Sequence, residues 1–452
     1  MAKETGLNSD TIAAISTAQG SSGIAVIRIS GALSVDIAVK ILTRRDFNTA
    51  GVMKLTSLID SGGNVLDRVL SVFFAAPKSY TGENIIEIHT HGGMTIARKC
   101  LELVIENGAR LAEPGEFTKR AFLNGRIDLA EAEGVLGIIQ ARSDDAIKAA
   151  ARNLTGEFSR RVNKIHEDIL KLQGNLELEI DFPEGEHVSF NIMAGLKDIQ
   201  RDLKELADQC SAGILLRDGV KIVIAGRPNV GKSSLMNALS QQKRSIVTDI
   251  AGTTRDLIEC NFILSGIPII LIDTAGLRNS DNAVEIAGIE LANEAIKNSD
   301  LCLWILDGSQ NYEDNEINFS GDLENLIIAI NKSDVEQKID PEKISRSYSG
   351  ADIIKISAKT GANIEDLKNL LVKKITGGTL LNSSFDASIS QLNYIRESMK
   401  LLNEAVENYV VNEIDITAGI LNEARNFMLR VIGVEADDEL LDSIFSRFCV
   451  GK

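Results

Sequence analysis

A short glycine-containing segment constrains the fold of this chain more than any other feature. Residues 226–233 read Gly-Arg-Pro-Asn-Val-Gly-Lys-Ser and match the phosphate-loop pattern G-x-x-x-x-G-K-S. An apolar strand pattern at 221–225 precedes the segment, and a helical pattern at 235–239 follows it. This pattern predicts a nucleotide site. Its backbone N–H groups would contact the phosphates, its lysine ammonium would bind the β- and γ-phosphate oxygens, and its hydroxyl would bind magnesium. The predicted phosphate contacts are Asn229, Val230, Gly231, Lys232, Ser233 and Ser234, with Lys232 also catalytic and Ser233 on magnesium.

Four further segments follow in the order that a GTP-binding domain requires. They are Gly-Thr-Thr at 252–254, Asp-Thr-Ala-Gly at 273–276, Asn-Lys-Ser-Asp at 331–334 and Ser-Ala-Lys at 357–359. The Asp334 carboxylate can accept two hydrogen bonds from guanine, whereas adenine offers no matching donor pair, so the expected nucleotide is GTP. Thr254 is the expected second magnesium hydroxyl. The further predicted contacts are Gly252, Thr253, Thr254, Asp273, Thr274, Ala275, Gly276, Asn331, Lys332, Asp334, Ser357, Ala358 and Lys359.

The residue after the Asp-Thr-Ala-Gly segment raises a question about hydrolysis. Ras-like enzymes have a glutamine there that orients the attacking water, but this chain has Leu277, which cannot do so. Asp281 or Glu285 in the following acidic segment could reach the water if the loop moves. The residues alone are equally consistent with a catalytic role for this acidic segment and with a solvated loop that has none.

The pattern along the chain predicts several domains. Short β-rich runs at 24–29, 69–75 and 85–88 alternate with helical stretches, and 129–179 has helical spacing without a proline. Buried strands alternate with helices from 220 to about 375, which is typical of a doubly wound sheet. Helical patterns at 193–216 and 388–448 flank this region. The economical interpretation is a helical bundle interrupted by an inserted α/β domain.

Composition excludes several classes of protein. The chain has 452 residues, too many for a single hydrophobic core, so several domains are expected. No apolar run is long enough to cross a membrane. The five cysteines form no C-x-x-C pair, so neither a disulfide framework nor a zinc ribbon is indicated. A net charge of −16 disfavours broad contact with nucleic acid, so RNA would meet a local basic patch or a partner's surface. We therefore expect a cytoplasmic protein with no membrane contact.

Motifs outside the phosphate loop carry a resemblance that spans the chain. The chain resembles the tRNA modification GTPases of the MnmE (TrmE) family, within the Era-like class of translation-factor GTPases. The resemblance rests on Ile-Arg-Ile-Ser-Gly at 27–31, Thr-Gly-Glu at 81–83, His-Gly-Gly at 91–93, Pro-Gly-Glu-Phe at 114–117, Arg-Ala-Phe-Leu-Asn-Gly at 120–125, Asp-Ile-Ala-Gly-Thr-Thr-Arg-Asp at 249–256 and Phe-Cys-Val-Gly-Lys at 448–452.

The resemblance implies a multidomain α/β fold with three domains. These would be an N-terminal α+β folate-binding-like and dimerisation domain at 1–125, a discontinuous helical bundle domain at 126–217 and 378–452, and an inserted Ras-like G domain at 218–377. It also implies a homodimer that forms a heterotetramer with the flavin-dependent partner MnmG (GidA). Together they would add a carboxymethylaminomethyl or aminomethyl group to carbon 5 of the wobble uridine, position 34, of certain tRNAs. The tRNA would bind mainly through the partner.

The resemblance further implies GTP, Mg²⁺, K⁺ and 5-formyltetrahydrofolate or a related reduced folate as ligands. The implied potassium ligands are Asn229, Thr248, Ile250 and Thr253, in a nucleotide-binding loop that includes Asp249 and Ala251. Glu285 matches the glutamate that positions the water, and Cys449 matches a cysteine suspected of catalysis. The implied folate contacts are Arg28, Glu87, Arg126 and Lys452, although Arg126 stands where the family often has lysine.

Two other functions fit parts of the sequence. An Era-like GTPase switch in ribosome assembly, without modification chemistry, would share the nucleotide motifs but predicts a strongly basic RNA-binding appendage, which the sequence lacks. A folate-dependent one-carbon transferase that the G domain merely regulates is the third hypothesis. Loss of the modified wobble uridine on deletion discriminates among the three.

Overall fold

The computed structural model describes residues 10–18, 20–181, 191–240, 258–273, 294–313, 317, 319, 321–378, 381, 384–434 and 438–452. Its contacts divide the chain into two compact units. The first unit comprises Met1–Leu136, Asn153–Phe190 and Asn408–Lys452, and the second comprises Gly137–Arg152 and Asn191–Glu407. This division is coarser than the three predicted domains, whose boundaries stay a prediction.

A six-stranded sheet organises the first unit. Its order is β3-β4-β5-β2-β1-β6, and all neighbours are antiparallel except β1 and β6. The β2 strand alternates between two faces, with Ala25, Ile27 and Ile29 in one core. The strands are β1 (Thr11–Ile15), β2 (Ile24–Ser30), β3 (Lys54–Ile59), β4 (Val65–Phe74), β5 (Ile85–His91) and β6 (Ala109–Leu111).

Helices cover both faces of this sheet. The apolar residues of α1 (Ser34–Ile41) and α2 (Met94–Glu106) pack on the face that holds Ile27. On the opposite face, α3 (Glu116–Leu123) contributes the fully buried Phe117, which packs with Ile12 and Ala14 of β1. This second face also carries Arg28, which lies between Ile27 and Ile29 on β2 and is in register with Ala14.

Longer helices complete the first unit. Helix α6 (Glu157–Asp181) packs along α12 (Ile414–Val431). Helix α13 (Asp438–Phe445) contributes Leu441, Ile444 and Phe445 to a core that also holds Leu129, the first residue of α4 (Leu129–Gln140). The apolar faces of helices from widely separated parts of the chain are thereby buried together.

The predicted helical stretch at 129–179 consists of three helices. They are α4 (Leu129–Gln140), α5 (Asp144–Leu154) and α6. The Ser143 hydroxyl accepts a hydrogen bond from the Ala146 N–H at 3.2 Å, which caps the start of α5. Gly156 has φ of 71°, a left-handed conformation that ends the α5 segment.

The second unit contains the predicted doubly wound sheet. Its order is β12-β11-β10-β7-β9-β8, and β8 alone among these described strands is antiparallel to its neighbour. The strands are β7 (Val220–Ala225), β8 (Ile258–Leu264), β9 (Ile267–Asp273), β10 (Leu301–Asp307), β11 (Leu326–Asn331) and β12 (Asp352–Lys355).

Both faces of the central strands are buried. Every residue of β10 is buried, with Leu303 and Ile305 in one core and Cys302, Trp304 and Leu306 in another. A strand covered on both faces has a continuous apolar sequence, which explains the pattern of this segment. The described helices of this unit are the end of α4, most of α5, α7 (Ile192–Asp218), α8 (Lys232–Ser240), α9 (Pro341–Ser347), α10 (Ile364–Thr376) and α11 (Ile389–Val410), which ends in the first unit.

An ion pair joins the end of α7 to the segment that returns from the sheet. The Arg217 Nη1 atom lies 3.1 Å from Asp386 Oδ1 and 2.9 Å from the Ala387 carbonyl oxygen. A Cβ atom on Gly137 of α4 would overlap the Asp386 carboxylate, and one on Gly213 of α7 would overlap the Phe385 carbonyl. The close approach therefore requires glycine at these two helical positions.

Within the described ranges, none of the helices combines the length and apolar character that crossing a membrane demands.

Candidate functional site

The phosphate-loop segment connects the central strand β7 to helix α8. Gly226 and Gly231 have φ of 142° and 102°, backbone values that residues with a side chain rarely adopt. A Cβ atom would overlap the Ile305 carbonyl at Gly226 and the Asn331 side-chain amide at Gly231. The two glycines of the motif are therefore fixed by local packing as well as by the need of phosphates to approach the backbone.

The remaining loop residues present polar groups at the start of α8. The Lys232 ammonium is buried and donates to the carbonyl oxygens of Gly226 and Arg227 at 2.9 and 2.8 Å. The exposed Asn229 has φ of 64°. Ser233 and Ser234 lie in the first turn of α8, where the helix dipole favours anions. This arrangement suits a polyphosphate.

The Asn-Lys-Ser-Asp segment begins at Asn331, the last residue of β11, at the same edge of the sheet. The buried Asn331 side chain donates from Nδ2 to the Val230 carbonyl oxygen at 2.8 Å. Its Oδ1 accepts from the Ala358 N–H at 2.9 Å. One side chain thus joins the three predicted nucleotide segments that the structure describes around 230, 331 and 358.

The Asp334 carboxylate is held by the third of these segments. The Ser357 hydroxyl donates to Asp334 Oδ1 at 2.6 Å, and this hydrogen bond, with Lys359 and Lys332 nearby, holds the pKa of Asp334 below its ordinary value. The carboxylate is therefore ionised at neutral pH and accepts hydrogen bonds. The sequence motifs did not predict the contact between Ser357 and Asp334, because they do not say which residues of the two segments pair.

Asp273 ends β9, next to the strand that leads into the phosphate loop. It is paired in register with Ile224 and is 2% exposed. Its position fits an acidic group near a magnesium ion held by Ser233. The predicted site residues Thr248, Asp249, Ile250, Ala251, Gly252, Thr253, Thr254, Thr274, Ala275, Gly276 and Glu285 lie outside the described residues.

A contact that the motifs did not predict fixes the Lys332 side chain. Its ammonium lies 2.6 Å from Asp307 Oδ2, at the carboxyl end of β10. The only sequence signal for Asp307 is its position at the end of a buried parallel strand, since such strand ends commonly carry ligand-binding residues.

The candidate folate residues lie in the first unit. Arg28 and Glu87 are in register on β2 and β5, and Arg28 Nη2 lies 2.8 Å from Glu87 Oε1. The Arg28 guanidinium also lies 5.6 Å from the ring centroids of Tyr80 and Phe117. The two charged groups, less than one fifth exposed, thus form a cross-strand pair beside two aromatic rings.

The C-terminal tail reaches the same sheet. Val450 forms an isolated antiparallel bridge with Pro114, and a Cβ atom on Gly451 would crowd the Ile15 carbonyl at 2.6 Å. This position brings Lys452 beside the end of β1, the neighbour of the strand that carries Arg28. Arg126 donates from Nε to the Ser79 carbonyl at 3.2 Å.

Several of the remaining motif residues stabilise the fold around this face. The buried Arg120 guanidinium lies 3.1 Å from both Glu83 and Glu116, and 2.8 Å from Asp10. Burial alone would lower the pKa of Arg120, but the three carboxylates raise it above its ordinary value. The motifs at 81–83, 114–117 and 120–125 therefore meet in one ion-pair network.

The five cysteines differ sharply in exposure. Cys449 is exposed, Cys260 is intermediate, and Cys100, Cys210 and Cys302 are buried. Burial raises the pKa of Cys100 and of Cys302 to about 12, so both remain thiols. Cys449 is the cysteine most accessible to a reactant, and its carbonyl oxygen accepts a hydrogen bond from the Gly115 N–H at 3.5 Å.

Comparison with known proteins supports the resemblance over the whole chain. The model of the GTP-binding protein TrmE N-terminus matches residues 11–126, and the model of the MnmE helical domain matches residues 129–449. The chain is 37% identical to the tRNA modification GTPase MnmE of Clostridioides difficile, across 98% of this chain and 99% of that protein. The chain belongs to the MnmE family of tRNA modification GTPases.

Other members of the family are equally similar. The MnmE proteins of Carboxydothermus hydrogenoformans and Pseudothermotoga lettingae are each 38% identical, with 98% of this chain covered and 99% and 100% of theirs. The solved G domain of the T. maritima FeoB is 27% identical and covers 34% of this chain and 98% of its own, with a TM-score of 0.27. Since that score is low, the assignment rests on the sequence relatives. The predicted multidomain α/β fold class is confirmed.

Proposed function

We propose that this chain is a potassium-dependent GTPase that modifies tRNA together with a flavin-dependent partner of the MnmG (GidA) type. The product would carry a carboxymethylaminomethyl or aminomethyl group on carbon 5 of uridine 34, with a reduced folate such as 5-formyltetrahydrofolate as the one-carbon donor. The observation that carries the proposal is the end-to-end similarity to proteins named tRNA modification GTPase.

The described nucleotide segments support GTP as the ligand. The ionised Asp334 carboxylate has an oxygen that the Ser357 hydroxyl does not occupy, and both oxygens retain acceptor capacity toward the guanine N–H groups. Asn331 holds this segment against the phosphate loop through Val230. A nucleotide that reaches both segments would therefore have its base and its phosphates fixed relative to each other.

Hydrolysis requires positive charge near the γ-phosphate and an oriented water. Magnesium would be held by Ser233 and Thr254, and a potassium ion by Asn229, Thr248, Ile250 and Thr253. The exposed, left-handed Asn229 is compatible with such a role, because its side chain is free to face an ion above the loop. Bound cations stabilise the charge that develops in phosphoryl transfer. Glu285 would orient the water in place of the missing glutamine.

The paired Arg28 and Glu87 support a folate site. A half-buried carboxylate can accept hydrogen bonds from the N–H groups of a pterin ring, and the adjacent Tyr80 and Phe117 rings provide flat apolar surface. Arg126 and Lys452 would add positive charge toward the folate carboxylates. Cys449 would act near the one-carbon unit, because it is exposed and next to the same C-terminal tail.

The proposed assembly is a homodimer that joins two partner chains in a heterotetramer. The net charge of −16 argues that the tRNA is held mainly by the partner. The same composition is compatible with a cytoplasmic location.

A nucleotide swap tests the GTP site. Replacing Asp334 by Asn turns one acceptor oxygen into a donor that faces the guanine N–H groups, whereas xanthine presents a carbonyl at carbon 2. We expect Asp334→Asn to lose at least tenfold in GTP affinity, since a charged hydrogen bond contributes about 1.5–3 kcal/mol, and to gain affinity for XTP. Unchanged GTP affinity in the folded variant would overturn the proposed base recognition.

Analysis of tRNA nucleosides by mass spectrometry tests the modification itself. A deletion strain should lack the modified wobble uridine, and the wild-type chain should restore it. Cys449→Ser should fail to restore it if the thiol is catalytic, while keeping normal GTP hydrolysis. A deletion strain with unaltered wobble uridine but impaired ribosomes would favour the Era-like switch instead.

A further inference from the structure

The ends of β10 and β11 lie side by side at the proposed nucleotide edge. Asp307 and Asn331 are in register, and each is the last residue of its strand. Lys332 follows Asn331, and its ammonium lies 2.6 Å from Asp307 Oδ2. The Asp307 side chain is 7% exposed, whereas that of Lys332 is 38% exposed. A buried carboxylate therefore holds the tip of a partly exposed lysine.

The Asp307 carboxylate is charged and rigidly held. Its other oxygen, Oδ1, accepts from the Ser309 N–H at 3.0 Å and from the Ser309 hydroxyl at 2.6 Å. Burial raises the pKa of Asp307, but hydrogen bonds from Lys332 and Ser309 outweigh it and bring the pKa below its ordinary value. Ser309 holds Oδ1, while Oδ2 accepts from the Lys332 ammonium at 2.6 Å and from Gln310 Nε2 at 3.4 Å.

The backbone around Lys332 is fixed as well. Lys332 has φ of 64°, and its carbonyl oxygen accepts from Gln337 Nε2 at 2.8 Å. The Gly308 N–H donates to the Asn331 carbonyl oxygen at 2.9 Å, so the segments after β10 and β11 are joined. With backbone and ammonium both held, the methylene stem of Lys332 has little freedom to move.

We propose that Asp307 is a positioning residue of the guanine-nucleotide pocket and acts through Lys332. By holding the ammonium, it fixes the lysine stem as an apolar surface against which the base and ribose of a guanine nucleotide pack. The stem is available for this because the Lys332 side chain is 38% exposed although its ammonium is held, and it stands between Asn331 and Asp334 in the predicted guanine segment. The inference rests on the proposed GTP binding and adds a residue that none of the nucleotide motifs contains.

A double-mutant cycle tests this inference in the full-length chain. The variants are Asp307→Ala, Lys332→Ala and the double variant, and the measurement is the dissociation constant of a fluorescent GDP analogue. We expect Asp307→Ala to bind about tenfold more weakly, because an unanchored lysine must be ordered on binding. Lys332→Ala should bind at least as weakly, because the stem that packs against the nucleotide is gone. The double variant should match Lys332→Ala within about twofold, since Asp307 would have nothing left to position. Steady-state hydrolysis by Asp307→Ala should show a raised KM with kcat nearly unchanged.

The control lies at the other end of the same strand. Asp300 accepts the Lys221 N–H at 2.8 Å and is remote from the phosphate loop, so Asp300→Ala should leave GDP affinity unchanged. If Asp307→Ala fails to fold, Asp307→Asn keeps the Ser309 contacts and should still weaken binding. The inference would be overturned if the fold losses in GDP affinity of the two single variants multiplied in the double variant. Normal GDP affinity in Asp307→Ala or Asp307→Asn would overturn it as well. Absence of GDP binding by the wild-type chain would instead overturn the proposed function.

Discussion

The Asn331 side chain donates a hydrogen bond to the Val230 carbonyl oxygen at 2.8 Å and so ties the guanine segment to the phosphate loop. The two residues are far apart in sequence, and neither the strand before Asn331 nor the loop around Val230 determines the contact alone. The same amide lies where a side chain on Gly231 would have to go. The contact therefore links base recognition to phosphate recognition within one rigid edge of the sheet.

Asn331→Ala should weaken both nucleotide binding and the fold of the second unit. The substitution leaves the Val230 carbonyl and the Ala358 N–H without a protein partner, and each unsatisfied buried group costs about 1–3 kcal/mol. Urea unfolding and GDP titration measure the two effects. Asn325→Ala is the matched control, because Asn325 is exposed just before the opposite end of β11. Equal behaviour of the two variants would refute the structural role of Asn331.

Arg28→Ala should weaken reduced-folate binding while GTP hydrolysis remains nearly normal. The substitution removes a charged hydrogen-bonding group beside Glu87, which should reduce affinity for 5-formyltetrahydrofolate at least tenfold, or about 1.5–3 kcal/mol. Calorimetry with the folate and a GTPase assay provide the two readouts. The exposed Arg68 on β4 supplies the control, since Arg68→Ala changes the same charge on the same sheet. Parallel loss of both activities in Arg28→Ala would indicate misfolding.

Glu285→Ala should slow GTP hydrolysis without changing GTP affinity. If Glu285 orients the attacking water, its removal should cost about 10²–10³-fold in kcat. The neighbouring acidic residue Asp281 is the control, and Asp281→Ala should retain activity. A normal kcat for Glu285→Ala, with a slow Asp281→Ala enzyme, would transfer the role to Asp281.

Potassium should stimulate the wild-type enzyme but not the Asn229→Lys variant. In that variant an ammonium would occupy the place proposed for the ion, while the phosphate loop keeps its backbone donors and still binds nucleotide. GTP turnover in potassium and in sodium, at matched ionic strength, measures the effect. Equal rates of the wild-type enzyme in the two salts would contradict the proposed use of potassium.

Stability of the second unit should depend on pH through Asp386. Burial raises the pKa of Asp386 to about 6 against the opposing effect of Arg217, compared with an ordinary value of 3.8. Because the folded state holds the proton more tightly, the contribution of Asp386 to stability increases as pH falls from above 6 toward 4. The increase should amount to about 1–3 kcal/mol and be absent in Asp386→Asn. Fluorescence of Trp304, the single tryptophan and part of the same unit, follows unfolding at each pH. A constant difference between the two proteins across pH 4–7 would disprove the effect.

The sequence motifs predicted the position of the nucleotide site better than its internal contacts. The phosphate loop and the Asn-Lys-Ser-Asp segment each follow an apolar strand, and parallel strands bring such ends together. The pairing of Lys332 with Asp307 depends instead on the register of β10 against β11, which local patterns do not encode. The cross-strand pairing of Arg28 with Glu87 escaped prediction for the same reason. The division of residues 129–179 into three helices depends on a serine cap and a left-handed glycine, each of which also occurs inside ordinary loops.

The bridge between Pro114 and Val450 also has a consequence for synthesis of the protein. A ribosome makes the chain from its N-terminus, so the sheet that carries Arg28 exists long before its C-terminal neighbour. Gly451 can reach the Ile15 carbonyl only after residues 448–452 have left the ribosomal exit tunnel. A product that ends before residue 448 would lack Cys449 and Lys452 and the bridge from Val450 to Pro114. The first unit therefore gains its last contacts only after the ribosome has translated residues 448–452, more than 300 residues after the sheet that receives them.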